Sequence, residues 1–209
     1  MDRSVVRKPK VMVVGLSKTG TSTLRTMLEM LGYRVCGPRK KLLPAVRAGD
    51  MAGVDELLDV YDAFEDWPWP LVYGHAHQRF GNDIRFVLTT RASPQKWFQS
   101  LVNHGRGSSP FRGMWATYGH YRPDGHEAAF KAIYERHNSD VRHYFAAHPG
   151  AMAEICLERG DGWNVLCPLV GAAVPAEPVP HSNKAGEKPR LVNRAINSVI
   201  TPIYARLSG

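Results

Sequence analysis

A chain of 209 residues, 44% hydrophobic and 22% charged, has the length and composition to bury one good core, which predicts a single domain over residues 1–209. Its net charge of +8 is concentrated in residues 1–47, where eleven Lys or Arg stand against Asp2 and Glu29, and the rest of the chain sums to −1. That pattern lacks the basic stripe or recognised module of a nucleic-acid binder, and a small polyanion accounts for it more economically. No run approaches the roughly 20 apolar residues of a membrane span, and no signal peptide is visible, so a cytoplasmic protein is expected. Cys36, Cys156 and Cys167 form no C-x-x-C pair and read as reduced, packed thiols, with no metal site expected.

The first element is an apolar strand over residues 11–14, followed by Gly15-Leu16-Ser17-Lys18-Thr19-Gly20-Thr21-Ser22-Thr23. Gly15 and Gly20 allow the sharp turn, and the amides of Thr19 to Ser22 then face an anion from a helix N-terminus. A triphosphatase loop places lysine directly after its second glycine. Here Thr21 holds that place and Lys18 comes two residues before Gly20, which leaves open a drifted triphosphate loop, a plain βα turn, or a cradle for another anion.

Leu24, Met27, Leu28 and Leu31 recur at helical spacing, so a helix is predicted over 21–31 with Gly32 as its stop. A strand at 33–36, an acidic helix at 50–59, a strand at 60–64, a helix at 68–80 and a strand at 84–89 follow. Ser93-Pro94 reads as an N-cap and first helical residue. A long helix is expected at 126–146, a strand at 152–157, and a helix capped by Asp161 that runs to about Val170. Alternating strands and helices predict an α/β, P-loop-type three-layer sandwich with a mostly parallel sheet, which binds ligands at the carboxyl ends of its strands.

Residues 103–125 break that rhythm, interleaving glycines and prolines with Phe111, Trp115, Tyr118 and Tyr121, and read as a lid over a bound acceptor. Residues 172–188 are a proline-rich connection. A final helix over 189–207 presents Ile196, Val199, Ile200, Ile203 and Leu207 on one face, expected to pack on the core.

Lys18-Thr19-Gly20-Thr21-Ser22 resembles the lysine-serine-glycine-threonine-threonine loop of P-loop sulfotransferases. Asp66-Trp67-Pro68, Pro94-Gln95-Lys96-Trp97, Tyr134-Glu135-Arg136-His137-Asn138 and Gly162-Trp163-Asn164-Val165-Leu166-Cys167-Pro168 are similar, in order, to motifs of a small sulfotransferase-like subfamily, so the resemblance runs from about residue 10 to residue 183. It implies sulfuryl transfer from 3′-phosphoadenosine 5′-phosphosulfate (PAPS) to a hydroxyl or amine of a small acceptor. It implies that Ser17, Lys18, Thr19, Gly20, Thr21, Ser22 and Thr23 hold the 5′-phosphosulfate, and that Arg91 and Ser100 hold the 3′-phosphate. Asn183 and Lys184 stand in weakly for the family's Arg-Lys-Gly segment. Thr23 replaces the family's adenine-stacking tryptophan, and the dimerisation signature of animal relatives is absent, which leaves the oligomeric state open.

Where the animal enzymes place a catalytic histidine, this chain has Asp66, with His75 and His77 as lower-ranked bases and Lys18 as the cation at the bridging oxygen. Trp67, Phe111, Trp115 and Tyr118 are the expected acceptor contacts, which suits an aromatic acceptor. Successive side chains of an extended segment alternate, so Glu65 and Asp66 should point opposite ways. If Asp55, Glu56, Asp59, Asp62 and Glu65 also crowd Asp66 in space, their charges would raise its pKa. A P-loop kinase or triphosphatase and a non-catalytic nucleotide-binding relative are the alternatives.

Overall fold

A computed structural model describes residues 8–108, 114–180 and 191–207. Its parallel sheet is ordered β2-β3-β1-β4-β5, from β1 (Lys10–Val13), β2 (Val35–Cys36), β3 (Ala63–Phe64), β4 (Ile84–Thr89) and β5 (Met152–Ile155). β1 lies at the centre, its Met12 paired with Phe64 on one side and Phe86 on the other.

Because side chains alternate across a strand, each face of this sheet needs its own cover. Met12, Phe64, Phe86 and Leu88 meet α3 (Ala52–Val60), α4 (Tyr73–Phe80) and α7 (Glu127–Ala146) through Val54, Leu58, Ala76, Val141 and Phe145. Val11, Val13, Ala63 and Val87 meet α1 (Thr21–Met30) and α8 (Trp163–Val170) through Leu24, Met27, Leu28, Trp163 and Leu166. The three layers are those expected. A third cluster joins Leu16 and Trp67 to Trp97, Leu101, Tyr118, Phe130 and Tyr134, and so ties the glycine loop to α5 (Pro94–Gly107) and α6 (Trp115–Tyr118). Cys36, Cys156 and Cys167 are buried free thiols, and no described helix is long and apolar enough to cross a membrane.

Several local expectations hold closely: β4 has its expected bounds, and the Ser93 hydroxyl accepts the Lys96 amide at 3.2 Å, with Pro94 opening α5. Others change. The helix expected over 68–80 is a 3-10 turn, Trp69–Leu71, followed by α4, since Pro68 and Pro70 have no amide hydrogen to continue a ladder. A second short turn, Lys40–Leu42, and α2 (Leu43–Arg47) fill a stretch the sequence pattern left unassigned.

Asp161 does not cap α8. Gly162 is its N-cap residue, and the Asp161 carboxylate accepts the Cys156 amide at 2.8 Å instead. The expected lid is partly helix, because α5 continues through Gly107 and the bare face of Gly105 receives Pro123, 3.4 Å from where a Cβ would stand. The terminal helix α9 (Leu191–Leu207) packs against α5 but departs from expectation at Ile196 and Val199, while Ile200 is half-buried. Leu191, Ile196 and Val199 are exposed, and Asn197 is buried in their place, donating to the carbonyls of Arg106 at 3.0 Å and Ser108 at 2.9 Å while accepting from Arg122 at 3.2 Å. The helix docks by capping the orphan carbonyls at the end of α5. The side chains of Ile203 and Leu207 lie outside the described residues.

Candidate active site

The glycine loop leaves β1 pressed against the end of β4. A Cβ on Gly15 would collide with the Thr89 side chain and carbonyl, so the sharp turn and the close approach select glycine together. Gly20, at φ 106°, is the residue before α1, and no acidic side chain lies in the first turn of that helix to compete for its amides. Thr19 turns inward: its hydroxyl donates to the Leu16 carbonyl at 2.7 Å and lies 2.5 Å from the Thr89 hydroxyl. The side chain expected to touch the donor is thus spent on holding the loop. Thr21 and Thr23 are also buried, while Ser17, Lys18 and Ser22 keep exposed surface.

Two described non-glycine residues adopt left-handed backbone, Lys18 at φ 74° and Asp66 at φ 65°. Such conformations cost roughly 1–3 kcal/mol each and persist only where the surroundings enforce them. Here the two strained residues belong to one site. The Ser17 hydroxyl donates to Asp66 Oδ1 at 2.6 Å, and the Trp67 amide donates to the same oxygen at 2.9 Å. Asp66 Oδ2 has no hydrogen-bond partner among the described residues. Burial lowers the Lys18 pKa, the nearby Arg91 lowers it further, and the Asp66 charge opposes both. The Ser17 carbonyl accepts the Trp97 indole at 3.0 Å, which fixes α5 against the loop.

Glu65 and Asp66 take different partners: Glu65 is buried beside Thr21 with Arg25 at 3.8 Å, whereas Asp66, which is left-handed rather than extended, meets Ser17. Burial, followed by the charge of Asp66, pushes its carboxyl up to about 7, against the stabilising Thr21 hydroxyl. An unfolded glutamate releases its proton near 4.5, so between about pH 4.5 and 7 the folded state holds the extra proton. The stability associated with Glu65 is therefore fully present below about 4.5 and lost as pH rises through 7. Glu65→Gln should flatten this part of the pH profile in urea unfolding between pH 5 and 8, and parallel profiles for wild type and variant would refute the assignment.

Asp55, Asp59 and Asp62 are paired elsewhere. Asp55 receives His75 at 2.8 Å and Arg79 at 2.6 Å, Asp59 receives Arg79 at 2.7 Å, and Asp62 pairs with Arg34 at 3.0 Å. His75 serves an ion-pair cluster on α3 and α4. His77 meets Phe86, Tyr144 and His148 edge to face, and the last of these precedes β5, so it lies by the amino edge of the sheet and away from the loop. His137 is a brace: its Nε2 lies 2.7 Å from the Val14 carbonyl at the end of β1.

Arg91 reaches the loop, donating from Nη1 to the Lys18 carbonyl at 3.3 Å, and is also engaged by Glu158 at 2.6 Å. Ser100 is half-buried on α5, one turn after Trp97. The next residue of that helical stripe is His104, which sequence reasoning missed although its spacing from Trp97 and Ser100 marks the same face. His104 is an exposed residue, yet the protein packed about its ring, then the charges of Lys18 and Lys40, push its pKa down to about 4. It is a neutral imidazole at pH 7.

Trp67 and Tyr118 do not form an open acceptor wall. Both are buried, edge to face at 5.5 Å, and Trp115 alone of the described expected contacts is half exposed. Phe111, Asn183 and Lys184 lie outside the described residues. Among the described residues no cluster of three or more His, Cys, Asp or Glu could hold a metal.

A protein-family model described as a sulfotransferase domain matches this chain over residues 10–117 and 106–188. No curated protein matches it.

Proposed function

The chain belongs to the sulfotransferase domain family, and from that premise we propose that it moves a sulfuryl group from PAPS to a hydroxyl or amine of a small acceptor by in-line displacement. The observation that carries this reading is the junction of two strained residues through the loop: Lys18 within it, and Asp66 tied to it by the Ser17 hydroxyl at 2.6 Å.

The residues present fit the donor. Loop amides open from the N-terminus of α1, Lys18 lies among them, and Arg91 carries a buried Nε with no hydrogen-bond partner among the described residues. PAPS, when bound, supplies an activated sulfuryl group on a mixed phosphate–sulfate anhydride. Lys18 and the loop amides offset the charge that gathers on the bridging oxygen as its bond breaks. Asp66 takes the acceptor's proton at Oδ2, while Ser17 and the Trp67 amide hold Oδ1 so that the free oxygen keeps its aim. Lys18 and Asp66 thus sit on either side of the transfer, one stabilising the leaving group and the other activating the nucleophile. In this reading residues 1–209 act as one domain, the half-exposed Trp115 offers an aromatic acceptor its open face, and the three buried thiols suit the reducing cytoplasm.

Transfer of labelled sulfate from PAPS to members of an acceptor panel is the direct test, supported by thermal stabilisation with adenosine 3′,5′-bisphosphate and not with ATP. The role of Arg91 is testable separately. Arg91→Ala should cost roughly 1.5 to 3 kcal/mol of affinity for the bisphosphate, the range of a charge-assisted hydrogen-bonding site, and much less for adenosine 5′-phosphosulfate. Calorimetric losses that are equal for the two ligands would show that Arg91 does not read the 3′-phosphate.

A further inference from the structure

The guanidinium expected to read the donor's 3′-phosphate is already held by a carboxylate. Arg91 Nη2 donates to Glu158 Oε1 at 2.6 Å, and the next backbone amide, that of Ala92, donates to Glu158 Oε2 at 2.8 Å. A guanidinium nitrogen and a main-chain amide on two oxygens of one anion is also how a phosphate is received. Glu158 lies on the 3-10 turn Leu157–Arg159, directly after β5. In the same turn Leu157 covers the loop, its Cδ1 standing 2.6 Å from where a Cβ of Gly20 would be. One short turn therefore touches both the 5′-phosphosulfate cradle and the arginine beside it.

We infer that Glu158 is a latch on Arg91: its carboxylate occupies the place of the 3′-phosphate in the free protein, and the incoming phosphate displaces it. This inference rests on the sulfotransfer reading above. Three features favour a latch over a permanent strut. The pair is partly open, with side-chain exposures of 27% and 28%, and ion pairs so placed hold weakly. A phosphate brings more charge and a third oxygen to the same donors, and the buried Arg91 Nε is still without a hydrogen-bond partner among the described residues. The charge of Lys96 also acts on Glu158, so the displaced carboxylate has a cation to turn to.

A latch has a function in such a cycle. Adenosine 3′,5′-bisphosphate, which keeps its 3′-phosphate after the sulfuryl group has gone, must leave before the next turnover. A carboxylate competing for Arg91 weakens that product's hold and speeds its departure. Ligands lacking a 3′-phosphate leave the latch closed and are indifferent to it.

The test compares adenosine 3′,5′-bisphosphate with adenosine 5′-monophosphate on the full chain by calorimetry and stopped-flow dissociation. Glu158→Gln keeps the side chain's size and removes its charge, so it should bind the bisphosphate roughly tenfold more tightly, mostly through slower dissociation, with the monophosphate changed less than about twofold. Glu158→Asp, which keeps the charge on a shorter arm, should fall between wild type and Glu158→Gln and guards against a folding defect in either variant. If wild type binds the bisphosphate and Glu158→Gln binds it equally or more weakly, Glu158 is a support for Arg91 and the latch is wrong, while the sulfotransfer reading stands. If neither wild type nor either folded variant binds the bisphosphate, the sulfotransfer reading falls and takes the latch with it.

Discussion

Asp66→Asn should lower turnover by about 10² to 10⁴ while leaving donor affinity nearly intact, the loss expected when a general base is removed. Asparagine suits this experiment because of how Asp66 is held. Its Oδ1 accepts from the Ser17 hydroxyl and the Trp67 amide, and an asparagine Oδ1 can accept from both in the same way. What changes is the other atom, where an amide nitrogen that donates replaces an oxygen that takes a proton. Asparagine also tolerates left-handed backbone, so the φ of 65° at this position should survive the exchange. His75→Ala and His77→Ala should have far smaller effects, as their partners are Asp55 in one case and Tyr144 and His148 in the other. The informative control is His104→Ala, since that imidazole is neutral at pH 7 and within the fields of both Lys18 and Asp66. Near-normal turnover in folded Asp66→Asn, together with a large loss in His104→Ala, would move the base to His104.

Lys18→Ala should reduce turnover by roughly 10³-fold or more and weaken donor binding much less, because the ammonium counts most when the bridging oxygen becomes anionic. Its strained backbone complicates a bare truncation, so Lys18→Met, which keeps the apolar stem, is the companion variant. Both should behave alike if the charge is what matters. The pH profile adds a second readout. Burial and Arg91 hold the Lys18 pKa below the 10.5 of a free lysine, so wild-type turnover should decline on the alkaline side as Lys18 loses its proton, at a lower pH than an ordinary lysine would give. The residual activity of Lys18→Met should lack that decline. Unchanged turnover in both variants would remove the loop lysine from the mechanism.

Local sequence determined the elements whose signals are local. Residues 84–89 are a strand because an apolar run of that length is buried on both faces, and α5 begins where Ser93 and Pro94 say it should. The glycine loop was legible because Gly15 and Gly20 each meet a backbone demand that few other residues satisfy. The partners of Glu65 and Asp66 did not follow from extended-chain alternation, because β3 ends at Phe64 and Asp66 is left-handed. Partner choice was a different matter. The acidic run from Asp55 to Glu65 looked like one field around Asp66, yet Arg34 and Arg79 neutralise most of it, and only the β2–β3 pairing and the packing of α4 beside α3 bring those arginines there. His104 comes within the fields of Lys18 and Asp66 because Trp97, bonded to the Ser17 carbonyl, fixes the rotation of α5 about its axis. Asn197 is buried while Ile196 and Val199 are exposed because the carbonyls at the end of α5 need a donor, and a hydrophobic pattern carries no information about that need. Glu158 meets Arg91 because β5 pairs with β4 and delivers its following turn to the same carboxyl edge, so two residues 67 positions apart share one hydrogen bond. Hydrophobic periodicity reports how an element is buried, whereas the partners of its charges are set by which strands the crossovers make neighbours.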